Sequence, residues 1–341
     1  MLTAGRRRQR RGSVVAGVLL VVLLAAGAGG VAVALLAGDV PSRAAPTPTA
    51  AVERLATPVI ERPPVQAAVG PLPEPAGAAR VDLAAPALLP ALVLHPAPKA
   101  GLAFDLADGS VLWRSGATRV LPIASLTKLM TGLLAVERFG PSSRVRISPL
   151  AKRVEYSHMG GLRPGRRVRA ETLLQGLMIA SGNDAAVALA VAGAGSERAW
   201  VQLMNRRARV LGLKCTQYAD SSGLNPRNRS CPADIAALSM RAMAEPRLRR
   251  IAARNFMRVW PGAGEKINLR STNHLLRQHY PGAIGLKTGY TRVAGHCLVA
   301  IIKRGSRRIG IVVLGSQLSA FADARRIARE AARAGVFPPA T

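Results

Sequence analysis

Ser125 and Lys128 stand three residues apart in the run Leu121-Pro122-Ile123-Ala124-Ser125-Leu126-Thr127-Lys128-Leu129-Met130, at the start of an apolar helical pattern. A spacing of three on a helix puts both side chains on one face, one turn apart. A serine hydroxyl is a poor nucleophile until a neighbouring base takes its proton, and a lysine desolvated by packing can be that base. On its own, Ser-x-x-Lys is equally an N-terminal helix serine followed by a surface lysine.

Two further stretches have side chains suited to the same chemistry. Ser181-Gly182-Asn183 falls at a break between two helical patterns, where glycine lets the backbone turn and two polar side chains can face a cleft. Read alone, it is a helix cap. Lys287-Thr288-Gly289, followed by Tyr290, ends a strand-like run. There a lysine and a hydroxyl could hold a carboxylate, and glycine removes the side chain that would block ligand approach.

The background composition sharpens the lysines. The 341-residue chain carries a formal net charge of +30, with 48 basic residues. Lysine occurs only at 99, 128, 152, 214, 266, 287 and 303, so arginine supplies nearly all of the charge. A guanidinium cannot serve as a base at neutral pH, whereas an ammonium can lose its proton, and lysine is kept at 128 and 287. The arginines are dispersed and no nucleic-acid-binding pattern accompanies them, so the charge points to an anionic membrane or cell-wall surface and not to nucleic acid.

The elements that must position these groups follow in order. Residues 1–13 are a basic tail with arginines between 6 and 11, and no charge occurs from Val14 to Gly38. That run exceeds the ~20 residues needed to span a bilayer, which favours an uncleaved signal-anchor over a cleaved secretory signal. The tail is then expected in the cytoplasm, with everything after Gly38 outside. Residues 39–99 are rich in proline and alanine without a period, an extended spacer.

The catalytic domain is assigned to 100–337. A hairpin is expected around Asp108-Gly109. The helix carrying Ser125 runs to about Phe139, and short strands lie near 145–147 and 167–169. Helices span 171–180, 184–191 and 197–211, and Asp234 caps a helix over 235–244. Strands at 283–288, 296–303 and 308–314 precede an amphipathic helix at 320–334. The pattern predicts an α/β layer structure with an antiparallel sheet.

Ser-x-x-Lys, Ser-x-Asn and Lys-Thr-Gly in this order are the signature of penicillin-binding proteins and class A β-lactamases. The neighbouring text agrees: Leu173-Leu174-Gln175-Gly176-Leu177-Met178-Ile179, Ser222-Gly223-Leu224, Ser271-Thr272-Asn273 and Gly285-Leu286. From about Ala100 to Ala334 the chain resembles the low-molecular-mass penicillin-binding proteins, the serine D-alanyl-D-alanine carboxypeptidases. The resemblance implies an antiparallel sheet flanked by helices with a mainly helical subdomain, and a stem peptide ending in D-Ala-D-Ala as substrate.

It also implies roles. Ser125 would attack, with neutral Lys128 as proton acceptor. The backbone N–H groups of Ser125 and Tyr290 would hold the oxyanion. Ser181 would relay the proton, and Asn183 would orient the peptide and steady Lys128. Lys287 and Thr288 would grip the terminal carboxylate, with the Lys287 charge keeping Lys128 deprotonated. β-Lactams would act as inhibitors by acylating Ser125.

No cofactor or metal is expected, because the five histidines lack ligand spacing and no Cys-x-x-Cys occurs. Cys215 and Cys231 could form a disulfide outside the membrane or remain two thiols, and Cys297 reads as core. Two alternatives remain. A class A β-lactamase would need Ser-Asp-Asn and a downstream glutamate, but Gly182 replaces the aspartate and Glu197 and Glu245 lack the expected context. A wall-binding protein on the same fold that has lost catalysis is the other.

Overall fold

The structure is a computed structural model, and it describes residues 80–262 and 265–339. The basic tail, the expected membrane segment and most of the spacer lie outside the described residues. Among the described residues no helix is long and apolar enough to cross a membrane.

In chain order the elements are β1 (Ala100–Asp105), β2 (Val111–Ser115), β3 (Leu121–Pro122), a 3-10 turn (Ala124–Thr127), α1 (Lys128–Arg138), β4 (Arg144–Arg146) and α2 (Pro149–Arg153). Then follow β5 (Arg167–Arg169), α3 (Ala170–Met178), α4 (Asn183–Ala194), α5 (Glu197–Val210), β6 (Arg229–Ser230), α6 (Pro232–Ala244) and α7 (Pro246–Ala252). The chain continues with β7 (Phe256–Gly262), β8 (Glu265–Arg270), α8 (His274–Arg277), β9 (Ala283–Thr291), β10 (Gly295–Arg304), β11 (Arg307–Ser316) and α9 (Ala320–Arg333).

Five strands form an antiparallel sheet in the order β2-β1-β11-β10-β9. The first hairpin therefore docks on the last strand, with Ala100 opposite Leu314. The sheet is covered on both faces, so its central strands are apolar at nearly every position. Val299, Ile301, Val312 and Leu314 join the core containing α1, α3, α4 and α6. The alternate residues Leu298, Ala300, Ile302, Ile311 and Val313 face the other way, against Ala324, Ile327, Ala328 and Ala331 of α9. The amphipathic C-terminal helix thus packs on the sheet, as its spacing predicts.

The spacer boundary at 99 shifts. Leu88 and Leu89 N–H groups donate to the Val111 and Leu112 carbonyls, and Leu89 and Leu94 are buried against Trp113 and α9. Residues from about 80 onward thus belong to the folded body, because their leucines cover an apolar sheet face that would otherwise meet water.

Two local expectations change. Helix α6 begins at Pro232 with Cys231 as its cap residue, a position suited to proline because the missing N–H would be unpaired there anyway. Asp234 lies inside the first turn, and its Oδ2 accepts from the Cys215 N–H at 2.6 Å and the Thr216 hydroxyl at 2.7 Å. Cys215 and Cys231 form a disulfide in the same corner, with an S–S distance of 2.16 Å. Cys215, Cys231 and Asp234 cluster closely enough to suggest a metal site, but both sulfurs are bonded to each other. Cys297 is buried in β10, and burial pushes its thiol up to about 11.

Candidate active site

Ser125 lies in the 3-10 turn and Lys128 begins α1, so the two are not on one regular α-helix. In 3-10 geometry, side chains at i and i+3 eclipse each other. Lys128 Nζ lies 3.0 Å from Ser125 Oγ. The preceding residue, Ala124, holds a left-handed φ of 47°, a conformation that costs a non-glycine residue of order 1–3 kcal/mol and that packing must impose.

That packing comes from the 220–223 loop. Gly223 has φ +95°, and a Cβ there would sit 2.0 Å from the Ala124 carbonyl oxygen. Only glycine lets the loop approach this closely. Asp220 shapes the loop by accepting from the N–H groups of Ser222, Gly223 and Asn225 and from Asn228 Nδ2.

Lys128 has no exposed surface. Its Nζ donates to Asn183 Oδ1 at 2.7 Å and to the Ser222 carbonyl at 2.6 Å. Desolvation lowers its pKa to about 7, against the opposing pull of Asp220 and Asp184. The dominant cause is therefore burial, and the repulsion between the two buried amines adds to it. The two acceptors use two N–H bonds, and the third partner is a hydroxyl. A neutral amine in this position turns its lone pair to the Ser125 O–H.

Asn183 opens α4, and Ser181 precedes it with φ 59°. The sharp turn is made by Ser181 and not by Gly182, whose φ is −58°. Gly182 instead gives clearance, since a Cβ there would lie 2.7 Å from Asp184 Oδ1 and 3.0 Å from Met159 N. Asn183 Nδ2 donates to the Glu155 carbonyl at 2.8 Å, which turns its oxygen toward Lys128. Asp184 accepts from the Met159 and Gly160 N–H groups and so clamps the 155–160 loop over Asn183.

Lys287 is also buried, and its Nζ donates to Ser181 Oγ at 2.8 Å and to the Thr288 carbonyl at 2.9 Å. Burial and the Lys128 charge hold its pKa well below the usual lysine range. Two ammonium groups would be costly in so small a volume, which disfavours charging both at once. Thr288 is half-buried, with its hydroxyl 2.6 Å from that of Thr272. Gly289 passes against the nucleophile turn, since a Cβ there would lie 3.1 Å from Ser125 N. The Tyr290 side chain is exposed at the rim and packs on His296 with ring centroids 4.6 Å apart.

The three motifs thus meet beside β9: Lys128 bonds Ser125 and Asn183, Lys287 bonds Ser181, and Gly289 passes against the Ser125 turn. The Ser222 carbonyl and the Thr272 hydroxyl also belong to this site. Ser222-Gly223 and Ser271-Thr272-Asn273 were visible in sequence only as neighbouring text, without roles.

The glutamates of the β-lactamase reading are engaged elsewhere. Glu197 Oε1 accepts from the Ser221 N–H and hydroxyl, and Glu245 caps α7.

A sheet between helices, a half-exposed serine facing a buried amine, and a second buried amine on the edge strand define a penicillin-binding-type serine peptidase. A family model described as D-alanyl-D-alanine carboxypeptidase matches residues 94–318, and the chain belongs to that family.

The chain is 34% identical over 224 residues to the D-alanyl-D-alanine carboxypeptidase DacF of Bacillus subtilis, covering 64% of this chain and 57% of that protein. It therefore spans little more than half of that relative's length. It is 32% identical over 267 residues to a D-alanyl-D-alanine endopeptidase of Pseudomonas aeruginosa, covering 70% of this chain and 82% of that one. Among solved structures, a D-alanyl-D-alanine carboxypeptidase from Mycobacterium tuberculosis superposes with a TM-score of 0.66 at 30% identity, over 74% of this chain and 97% of that chain.

Proposed function

We propose that this protein is a serine D-alanyl-D-alanine carboxypeptidase that removes the terminal D-alanine from peptidoglycan stem peptides through an ester on Ser125. The observation that carries this is the environment of Lys128, whose amine is desolvated and bracketed by two oxygen acceptors and the Ser125 hydroxyl. Nζ takes the Ser125 proton as Oγ bonds to the penultimate D-alanine carbonyl carbon. The oxyanion meets the backbone N–H groups of Ser125 and Tyr290, which do not reorganise as charge appears. Ser181, between Lys287 and the cleft, passes a proton to the departing amine. Water then cleaves the ester. Thr288 and Thr272 present hydroxyls to the terminal carboxylate, with Lys287 behind them.

Slow release of β-lactams fits the engaged glutamates, because neither Glu197 nor Glu245 is free to activate a deacylating water. The membrane reading belongs to the same proposal. Residues 14–38 anchor the chain, residues 1–13 stay in the cytoplasm, and the catalytic domain works on the wall side of the cell membrane. The disulfide supports an oxidising compartment.

Release of D-alanine from an acylated L-Lys-D-Ala-D-Ala peptide, with wild type beside Ser125→Ala, tests the activity. The expected result is release by wild type alone. Intact Ser125→Ala activity would overturn the assignment.

A further inference from the structure

A second concave surface lies outside the catalytic cleft. A groove of about 1240 Å³ runs between the β4–β5 ribbon, helix α3 and the β7–β8 hairpin. It exceeds the roughly 300–1,000 Å³ usual for small-molecule pockets. Arg144, Arg166, Arg167, Arg169 and Arg258 line it together with Trp260. Its single acidic lining residue, Glu171, is already held by Arg247 through Nε at 3.1 Å and Nη2 at 2.8 Å.

The ribbon is built at a local cost. Arg144 pairs directly with Arg169 and Arg146 with Arg167, while Val145 and Val168 turn inward. Like charges opposite each other across a ladder are destabilising. None of these four arginines has an ion-pair partner among the described residues. Opposite, Arg258 and the exposed Trp260 stand on the outer face of β7. An ion pair between Arg163 and Glu265 ties the ribbon's connecting loop to the hairpin.

Helix α3 and the residue that follows it link the groove to the active site. Gln175 lines the groove, and one helical turn further, about 5 Å along the axis, the Ile179 carbonyl accepts from the Thr272 N–H at 3.1 Å. Thr272 is the partner of Thr288 in the active site. The groove and the active site are thus held by neighbouring turns of the same stretch of chain.

We infer that this groove binds polymeric peptidoglycan through the carboxylates of stem peptides next to the one being cleaved, with Trp260 against the glycan. The inference rests on the proposed carboxypeptidase activity, under which each uncleaved stem ends in a carboxylate and a strand of them is a polyanion. Guanidinium groups match carboxylates in a bidentate fork. A flat lipid surface does not enter a concave trench, whereas a chain does.

The test uses the full chain with Arg167→Gln and Arg169→Gln together. This variant should melt no lower than wild type, since the change relieves repulsion. It should release D-alanine from the short acylated peptide at the wild-type rate. On purified polymeric peptidoglycan it should lose roughly tenfold in kcat/KM, and wild type should lose the same advantage as salt is raised. Co-sedimentation with peptidoglycan, run in a Ser125→Ala background, should weaken to a similar degree, and this reading needs no turnover.

Equal sedimentation of both proteins would overturn the inference, as would loss on the short peptide and the polymer alike. Binding of a poly(glycerol phosphate) chain that depends on the two arginines, with peptidoglycan binding unchanged, would overturn it too. Failure of wild type to act on the short peptide would count against the carboxypeptidase reading, and the sedimentation result would still decide the groove.

Discussion

The Ser222 carbonyl oxygen lies 2.6 Å from Lys128 Nζ and can only accept. With Asn183 Oδ1 on another side, it commits both N–H bonds of a neutral amine and leaves the lone pair to Ser125. A backbone atom thereby helps to decide the direction of proton transfer, and several expectations about the site depend on that arrangement.

Lys128→Arg keeps the positive charge and removes the base. A guanidinium cannot take the Ser125 proton at neutral pH. Acylation by a fluorescent penicillin should fall by roughly a thousandfold or more, as measured by gel fluorescence over time.

Acylation should depend on pH through Lys128. Only the neutral amine accepts a proton, so the rate should rise with pH through about 7 and level off above it. Stability should follow the same group. Between about 7 and the ordinary lysine value of 10.5, the unfolded chain binds more protons than the folded one. This contribution makes stability rise with pH across that window, and a smaller slope should appear in denaturant titrations of Lys128→Met.

Gly223→Ala would place a methyl group against the Ala124 carbonyl at a φ of +95°. The 220–223 loop must retreat, and Ser222 and the nucleophile turn move with it. A stability loss of about 1–3 kcal/mol is expected, with a slower acylation rate, by thermal melting and penicillin labelling.

The Cys215–Cys231 bridge closes a short loop, with a sequence separation of 16. Its loss through paired serine substitutions should destabilise by about 3 kcal/mol in the loop-entropy model. Acylation at low temperature should persist, because the bridge supports the start of α6 and does not touch the cleft.

The site was legible where chemistry needs a particular side chain. Ser125, Lys128, Ser181, Asn183, Lys287 and Thr288 announce themselves by type and order. The Ser222 carbonyl has no side-chain signature, and the role of Thr272 depends on a partner sixteen positions away. The apolar period of the 3-10 turn at Ser125 hardly differs from that of α1, so the sequence shows one continuous helix there. Spacing marks Gly182 as a place for the chain to turn and does not reveal that Met159 packs against it.

In the fold, the central strands and α9 were evident from their apolar periods. The docking of β1 on β11 was not, since such a distant pairing leaves no local trace. The β7–β8 hairpin leaves no clear period, because its outer face, with Arg258, Trp260 and Asn268 exposed, mixes charge and aromatic groups. The leucines at 88–94 were hidden among prolines.

The central claim is that Lys128 is uncharged when it meets Ser125. The chain has only seven lysines, so isotope labelling at lysine Cε gives a spectrum simple enough to assign by substitution. In an NMR titration of the protein, the Lys128 resonance should move through about pH 7, should be absent from Lys128→Arg, and should be accompanied by a second abnormally acidic lysine at 287. If the resonances of both residues stay charged up to the ordinary lysine range near 10.5, the base is not Lys128 and the mechanism is wrong.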